Sequence, residues 1–204
     1  MKPRVSRDSI ISATIDLITR HGIRAVRVDE ISASLGISKR TLYETFRDKT
    51  ELVVASIEEI GRRQQLVYVE YLKQHSGDEE SLANLFWIIT RLVESLYAVD
   101  TSYLSEVRRR LEYQPVFLAG REFWLTHVDQ FLRKCTEQGL LERRFGDFPL
   151  AHRLLVSLYS YRLDDVTIDE LLTYSCIFIR GMATAKGIAW IDGNDHLFSR
   201  SGAE

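Results

Sequence analysis

Apolar residues recur three and four positions apart along most of the chain. Nowhere do they alternate long enough to suggest a strand, so the pattern predicts an all-α fold. Only three prolines, Pro3, Pro115 and Pro149, punctuate it. Ile10, Ile11, Ala13, Leu17 and Ile18 form the stripe of a first helix, opened by Ser6 with Asp8 and closed near His21-Gly22. A short helix over about 28–35 and another over about 39–46 follow, the latter with Leu42 and Phe46 four apart on one face. Asp48-Lys49-Thr50-Glu51 has capping-box spacing, with aspartate as the cap, for a long helix reaching about Gln74. His75-Ser76-Gly77-Asp78 then breaks the pattern.

Helical spacing resumes from about Glu79 to Val99, and Asp100-Thr101-Ser102 reads as a cap and turn. A shorter helix from Tyr103 to Tyr113 ends ahead of Pro115, which disfavours helical geometry at Gln114 and suits a new N-terminus. That next helix runs to Gln138 and stops at Gly139. After the polar loop Glu142 to Asp147, Pro149 opens a helix to about Tyr161. Thr167-Ile168-Asp169-Glu170 is a second capping box, starting a helix that fades near Gly187. The tail 192–204 is polar and expected to fray.

The densest information lies in Leu35-Gly36-Ile37-Ser38-Lys39-Arg40-Thr41-Leu42-Tyr43-Glu44-Thr45-Phe46-Arg47-Asp48-Lys49. Gly36 stands where a short helix reverses and positive φ is needed. Ser38 caps the next helix. Leu42 and Phe46 share a buried stripe, while Lys39, Arg40, Thr41, Tyr43 and Thr45 are hydrogen-bond donors on the other faces. A short helix so divided suits insertion into a DNA major groove.

The pattern Gly-Ile-Ser-x-x-Thr-Leu-Tyr-x-x-Phe-x-x-Lys, preceded by Asp29-Glu30-Ile31-x-x-x-Leu35, closely resembles the DNA-binding domain of TetR-family repressors. Upstream, Ile10, Ile11, Ala13, Leu17, Ile18 and Gly22 fall where that family's first helix carries its core and terminal glycine, so the likeness covers about residues 6 to 55. One departure is Arg27, where the family usually places Ser or Thr as the cap of the second helix. The cap is then missing, or Ser32 and the backbone make it good, and Arg27 is placed to meet a phosphate instead.

The resemblance implies a three-helix N-terminal helix-turn-helix domain over residues 1–48. A roughly six-helix ligand-binding and dimerisation domain over 49–191 and the tail 192–204 would follow it. By motif position it implies base contacts from Lys39 and Arg40, and backbone contacts from Arg27, Thr41, Tyr43, Thr45 and Lys49. It further implies a homodimer, because one small domain reads too few base pairs and a dimer sets two recognition helices one turn apart on a palindromic operator. Candidate dimer stripes are Leu150, Leu154 and Leu158 on one late helix. On the last, they are Ile168, Leu172, Ser175, Ile179 and Met182. A small-molecule inducer would sit in the aromatic middle of the chain, among Phe86, Trp87, Arg91, Tyr103, Tyr113, Phe117, Trp124 and His127. Every one of these stripes and rings also suits a plain helical core.

Charge is nearly balanced overall, at 27 basic against 29 acidic residues, but residues 1–50 carry a net +4 and the remainder a net −6. A basic head on an acidic body fits a protein that touches DNA at one end. Cys135 and Cys176 have no metal or redox spacing and suit buried thiols in a reducing cytoplasm. The run Leu82 to Val93 is too short to span a bilayer. The five dispersed histidines have no metal-ligand spacing, no glycine-rich phosphate loop or Gly-x-Ser-x-Gly occurs, and no cofactor, metal or catalytic residue is expected. The rival readings are a TetR-like regulator with no small-molecule inducer and, more remotely, a helical enzyme or interaction protein with a vestigial helix-turn-helix.

Overall fold

A computed structural model describes residues 5–75, 77, 81–145 and 148–194. The turn residues Ser76 and Asp78, part of the polar loop before Pro149, and the tail from 195 onward lie outside the described residues. Among the described residues ten α-helices form: α1 Arg7–His21, α2 Val28–Leu35, α3 Lys39–Thr45, α4 Lys49–Gln74, α5 Ser81–Tyr97, α6 Thr101–Arg109, α7 Gln114–Glu137, α8 Leu150–Leu163, α9 Ile168–Arg180 and α10 Ala185–Asp192. Among the described residues the only β pairing is one isolated bridge, Leu141 with Ala183. No single described helix is long and apolar enough to cross a membrane.

Packing divides the chain into two compact units, Met1–Val67 with Ala98–Gly120, and Tyr68–Tyr97 with Arg121–Glu204. The first therefore contains the segment expected as the DNA-binding head, the first part of α4 and, from much further along the chain, α6. Its core is Ile10, Ile18, Ile31, Leu42, Phe46 and Leu52, each 1% exposed or less. The helices start where side chains satisfy their free N–H groups. Ser6 Oγ accepts from Ser9 N, Ser38 Oγ from Thr41 N, and Asp48 Oδ1 from Glu51 N. Glu51 Oε2 in turn accepts from Arg47 N at 2.7 Å. The Glu51 N–H also holds the Asp48 carboxyl below its ordinary pKa.

α6 docks on α1 and on the 3-10 turn Ile23–Ala25. The backbone N–H of Asp100 donates to Thr19 O at 3.0 Å, and Arg24 Nε pairs with Glu106 Oε1 at 2.5 Å. Gly22 permits this approach. Its φ of 74° and ψ of 175° lie in a region almost confined to glycine, and a Cβ there would stand 2.1 Å from Ser102 Oγ. Gly36 meets the left-handed requirement read from the sequence, at φ 64° and ψ 32°, but nothing crowds it.

In the second unit α5 is the central helix, packing against both α8 and α9. Ile88, Leu85, Leu92 and Val93 of α5, Leu154, Leu155 and Leu158 of α8, and Leu171 and Ile179 of α9 are fully buried. The Thr167–Glu170 capping box forms as its spacing predicts. The helix expected to run on to about Gly187 does not do so: α9 ends at Arg180 and α10 begins at Ala185. Thr184 causes the restart. Its Oγ1 accepts from Gly187 N as the cap of α10 and donates to Gly139 O at 2.7 Å, while Glu142 N donates to Met182 O at 2.9 Å.

Gly22→Ala should destabilise the protein by about 1–3 kcal/mol, from forced positive φ plus the Ser102 clash. Gly36→Ala should cost only the conformational part, about 1–2 kcal/mol. Adding Ser102→Ala should recover part of the loss at position 22 and none at position 36, as read by urea denaturation.

Candidate nucleic-acid interface

The second element of the helix-turn-helix, α3, has only seven residues. It is anchored by Leu42 and Phe46, both 0% exposed, and by the guanidinium of Arg7, which lies 5.0 Å over the Phe46 ring. With that stripe buried, Lys39, Arg40, Thr41, Tyr43, Glu44 and Thr45 are all exposed. Thr41 and Thr45 are partly spent within the helix. The Thr41 hydroxyl is 3.0 Å from the Ser38 hydroxyl, and the Thr45 hydroxyl donates to Thr41 O at 3.3 Å. Tyr43 projects from the surface, 47% exposed.

The cations of this face are held by acids. Lys39 Nζ pairs with Asp29, Arg40 Nε donates to Glu44 Oε1 at 3.1 Å, and Arg27 Nε lies 3.8 Å from Glu30 Oε1. Arg27 does cap α2 through its extended backbone, but its side chain makes no capping hydrogen bond. Ser32 does not compensate, since its hydroxyl is buried with no hydrogen-bond partner. The residue types on α3 pointed to DNA from the sequence; the acids Asp29, Glu30 and Glu44 were given no role there, although Arg40 and Glu44 stand at i, i+4 spacing.

Lys49 opens α4, where the free N–H groups of a helix start favour an anion. It is half-buried and lines an open cavity of about 240 Å³ with Ile23, Arg24, Thr50, Glu106, Arg110, Glu112 and Tyr113. Burial, then the Arg110 charge, lowers the Lys49 pKa, and Glu106 acts against them. One oxygen of Glu106, Oε2, is buried there without a hydrogen-bond partner.

Residues 10–56 match the profile of bacterial regulatory proteins of the tetR family. That segment is of the tetR-family regulatory type. An uncharacterized HTH-type transcriptional regulator of Mycobacterium tuberculosis is 45% identical over 49 residues, which is 24% of this chain and 20% of that protein. The biofilm operon negative regulator IcaR of Staphylococcus epidermidis is 25% identical over 99 residues, covering 48% of this chain and 50% of IcaR. These matches thus span a fifth to a half of the relatives' lengths. The fold is shared over nearly the whole chain with a transcriptional regulator from Saccharomonospora viridis solved in complex with choline. That likeness has a TM-score of 0.74 at 16% identity, covering 87% of this chain and 97% of the other.

The residues nominated for a TetR-type inducer pocket are divided between the two units. Tyr103, Tyr113 and Phe117 belong to the first unit, and Phe86, Trp87, Arg91, Trp124 and His127 to the second. Within the second unit, Trp87 and His127 join two rings not among those nominated, Tyr68 and Phe123. Tyr68 lies 4.2 Å from His127, 5.4 Å from Phe123 and 6.3 Å from Trp87, between centroids. Trp87 also stacks on Tyr71 at 3.6 Å, and the Arg91 guanidinium lies 5.7 Å over its ring. Phe86 and Trp124 are buried. The Tyr68 hydroxyl is buried with no hydrogen-bond partner, and burial pushes its pKa up to about 12.

Most of the apolar stripe nominated for dimerisation is interior. Leu154, Leu158, Leu172, Ser175, Ile179 and Met182 are 8% exposed or less within the single chain, where they form its core. Leu150 and Ile168 are half-buried. Both helices carry two apolar faces, and α5 takes the more regular one. The other face exposes Val156 and Tyr161 of α8 and Ile177 of α9, the last 65% exposed. Tyr174 packs its ring 4.9 Å from Tyr161 and 6.2 Å from Phe178 on this face.

An orphaned buried hydroxyl costs about 1–3 kcal/mol against an apolar replacement. Tyr68→Phe should therefore melt at the parent temperature or above it in a calorimetric scan, whereas Trp87→Ala, which removes stacked area, should melt lower.

Proposed function

We propose that the chain is a homodimeric transcriptional repressor that binds a palindromic operator through α3 and is released from it by a small molecule. The observation that carries the reading is the division of α3: two fully buried anchors on one side, and Lys39, Arg40 and Tyr43 exposed on the other. Lys39 and Arg40, at its N-terminal end, are the base readers, since arginine and lysine donate to guanine O6 and N7. Arg27, Tyr43, Thr41, Thr45 and Lys49 serve the phosphates. The negative regulation named for IcaR supports repression in place of activation.

The dimer forms through the outer face of α8 and α9, centred on Ile177 with Val156, Tyr161, Tyr174 and Phe178. An exposed aromatic and aliphatic group of this size is otherwise an unprotected patch on a protein surface. The small molecule is taken up in the second unit, beside Tyr68, Trp87, Phe123 and His127. Their aromatic faces suit an apolar or cationic guest, and the choline bound by the Saccharomonospora protein makes choline a first probe. By linkage, a guest that weakens operator binding is weakened by the operator to the same degree.

Selection of randomised duplex DNA on the purified chain tests the reading: a short enriched palindrome is expected, and uniform recovery would overturn it. Lys39→Ala and Arg40→Ala should each change the preferred bases. Lys49→Ala should weaken all sequences alike and flatten the slope of log affinity against log salt by about 0.9, one phosphate's worth. A second prediction concerns assembly. Ile177→Asp should leave a folded monomer in sedimentation and lower affinity for the palindrome on the order of 100-fold, because each half-site is then bound alone.

A further inference from the structure

We infer that Glu44 is a specificity-determining residue of α3, which positions the Arg40 guanidinium end-on for a guanine. The inference rests on the DNA-binding reading and adds to it a residue with no assigned role.

Arg40 and Glu44 stand one turn apart on the exposed side of α3, 89% and 62% exposed at their side chains. Glu44 Oε1 accepts from Arg40 Nε at 3.1 Å. A guanidinium can offer a base either its end, through both Nη groups, or its side, through Nε and one Nη. With Nε taken by Glu44, only the end-on fork remains, and it matches guanine O6 and N7. The carboxylate also fixes a long side chain that is otherwise free in solvent, so less rotamer entropy is lost on docking.

Stability does not explain the pair. Both groups are exposed, where ion pairs contribute little. The acid lies toward the C-terminal end of its helix, where the dipole disfavours it, and the Arg-to-Glu order is the weaker one for this spacing. For general DNA affinity a carboxylate on a groove-facing helix is a liability, because it repels phosphates. A residue that adds little to stability and opposes non-specific binding is explained by what it does to Arg40. Lys39 gives the contrast: its acid, Asp29, comes from α2, and its ammonium has no fork to orient.

The experiment is selection from randomised duplex DNA at one fixed salt concentration, with the full chain, Arg40→Ala, Glu44→Ala and Glu44→Gln. Arg40→Ala locates the symmetry-related positions that Arg40 reads. At those positions the parent chain should prefer guanine, and Glu44→Ala should reduce that preference by about tenfold while leaving the other positions alone. Glu44→Gln, whose amide oxygen still accepts from Nε, should restore part of it. Affinity for unrelated DNA should rise in both Glu44 variants through the lost charge, so the readout is preference and not strength. The inference is overturned if Glu44→Ala tightens binding to every sequence with the preference unchanged, or if the Arg40 positions do not select guanine. Absence of any enriched sequence with the parent chain would overturn the DNA-reading proposal as well, which separates the two failures. Unchanged melting of the variants confirms that folding is not what is being read.

Discussion

A helix of seven residues does not persist in water by itself, because nucleation costs more than so few hydrogen bonds return. Everything α3 presents therefore depends on Leu42 and Phe46 being buried. Each contributes about 1.5–3 kcal/mol by leaving water. Placing them requires a floor built by Ile10, Ile18, Ile31 and Leu52 from α1, α2 and α4. The caps finish the work: Ser38 satisfies the start of α3 and Asp48 the start of α4, so the residues between them have little freedom left. Arg7 over Phe46 closes the floor from the chain's beginning. The donors of α3 can be as polar as they are only because none of them is needed to hold the helix.

The same floor carries α6. Its hold on α1 consists of one backbone hydrogen bond at Thr19, the Gly22–Ser102 approach and the Arg24–Glu106 pair. Glu106 is buried with one oxygen unpartnered, so its charge is compensated chiefly by Arg24, itself 79% exposed at the side chain. Breaking such a pair leaves a buried charge behind, which costs more than the pair returns when formed. Any displacement of α6 is therefore felt at Arg24, three residues before the cap of α2. A ligand acts at a distance only where it finds such a differential contact.

How much of this was legible in the sequence follows from how local each signal is. The first four helices rest on caps and stripes within a few residues of one another, and Ser6, Gly36, Ser38 and Asp48 act as their types predict. The docking of α6 spans some eighty residues of chain and hangs on a glycine whose crowding only three dimensions reveal. Helical periodicity runs smoothly through Gly181 to Ala185, so the break between α9 and α10 was hidden. Thr184, the residue responsible, declares itself a cap only beside the Gly139 carbonyl. The stripes of α8 and α9 failed in a different way. Periodicity finds an apolar face but not its direction, and α5 claimed the face that had been assigned to a partner.

The acids on the reading face change what the basic head means. A net +4 over residues 1–50 invites a picture of cations waiting for phosphate, yet Lys39, Arg40 and Arg27 each have a carboxylate close by in the free chain. On the reading proposed above, DNA would displace or share those partners, so each contact would contribute less than an isolated cation, to matched and unmatched sequences alike. The two cases then differ in what replaces the carboxylate. A guanine edge would return two directed hydrogen bonds to Arg40, whereas a passing phosphate would return charge and meet repulsion from Glu44. Lowering all affinities while sparing the well-aligned one widens their ratio, and against a genome of competing sites that ratio decides occupancy.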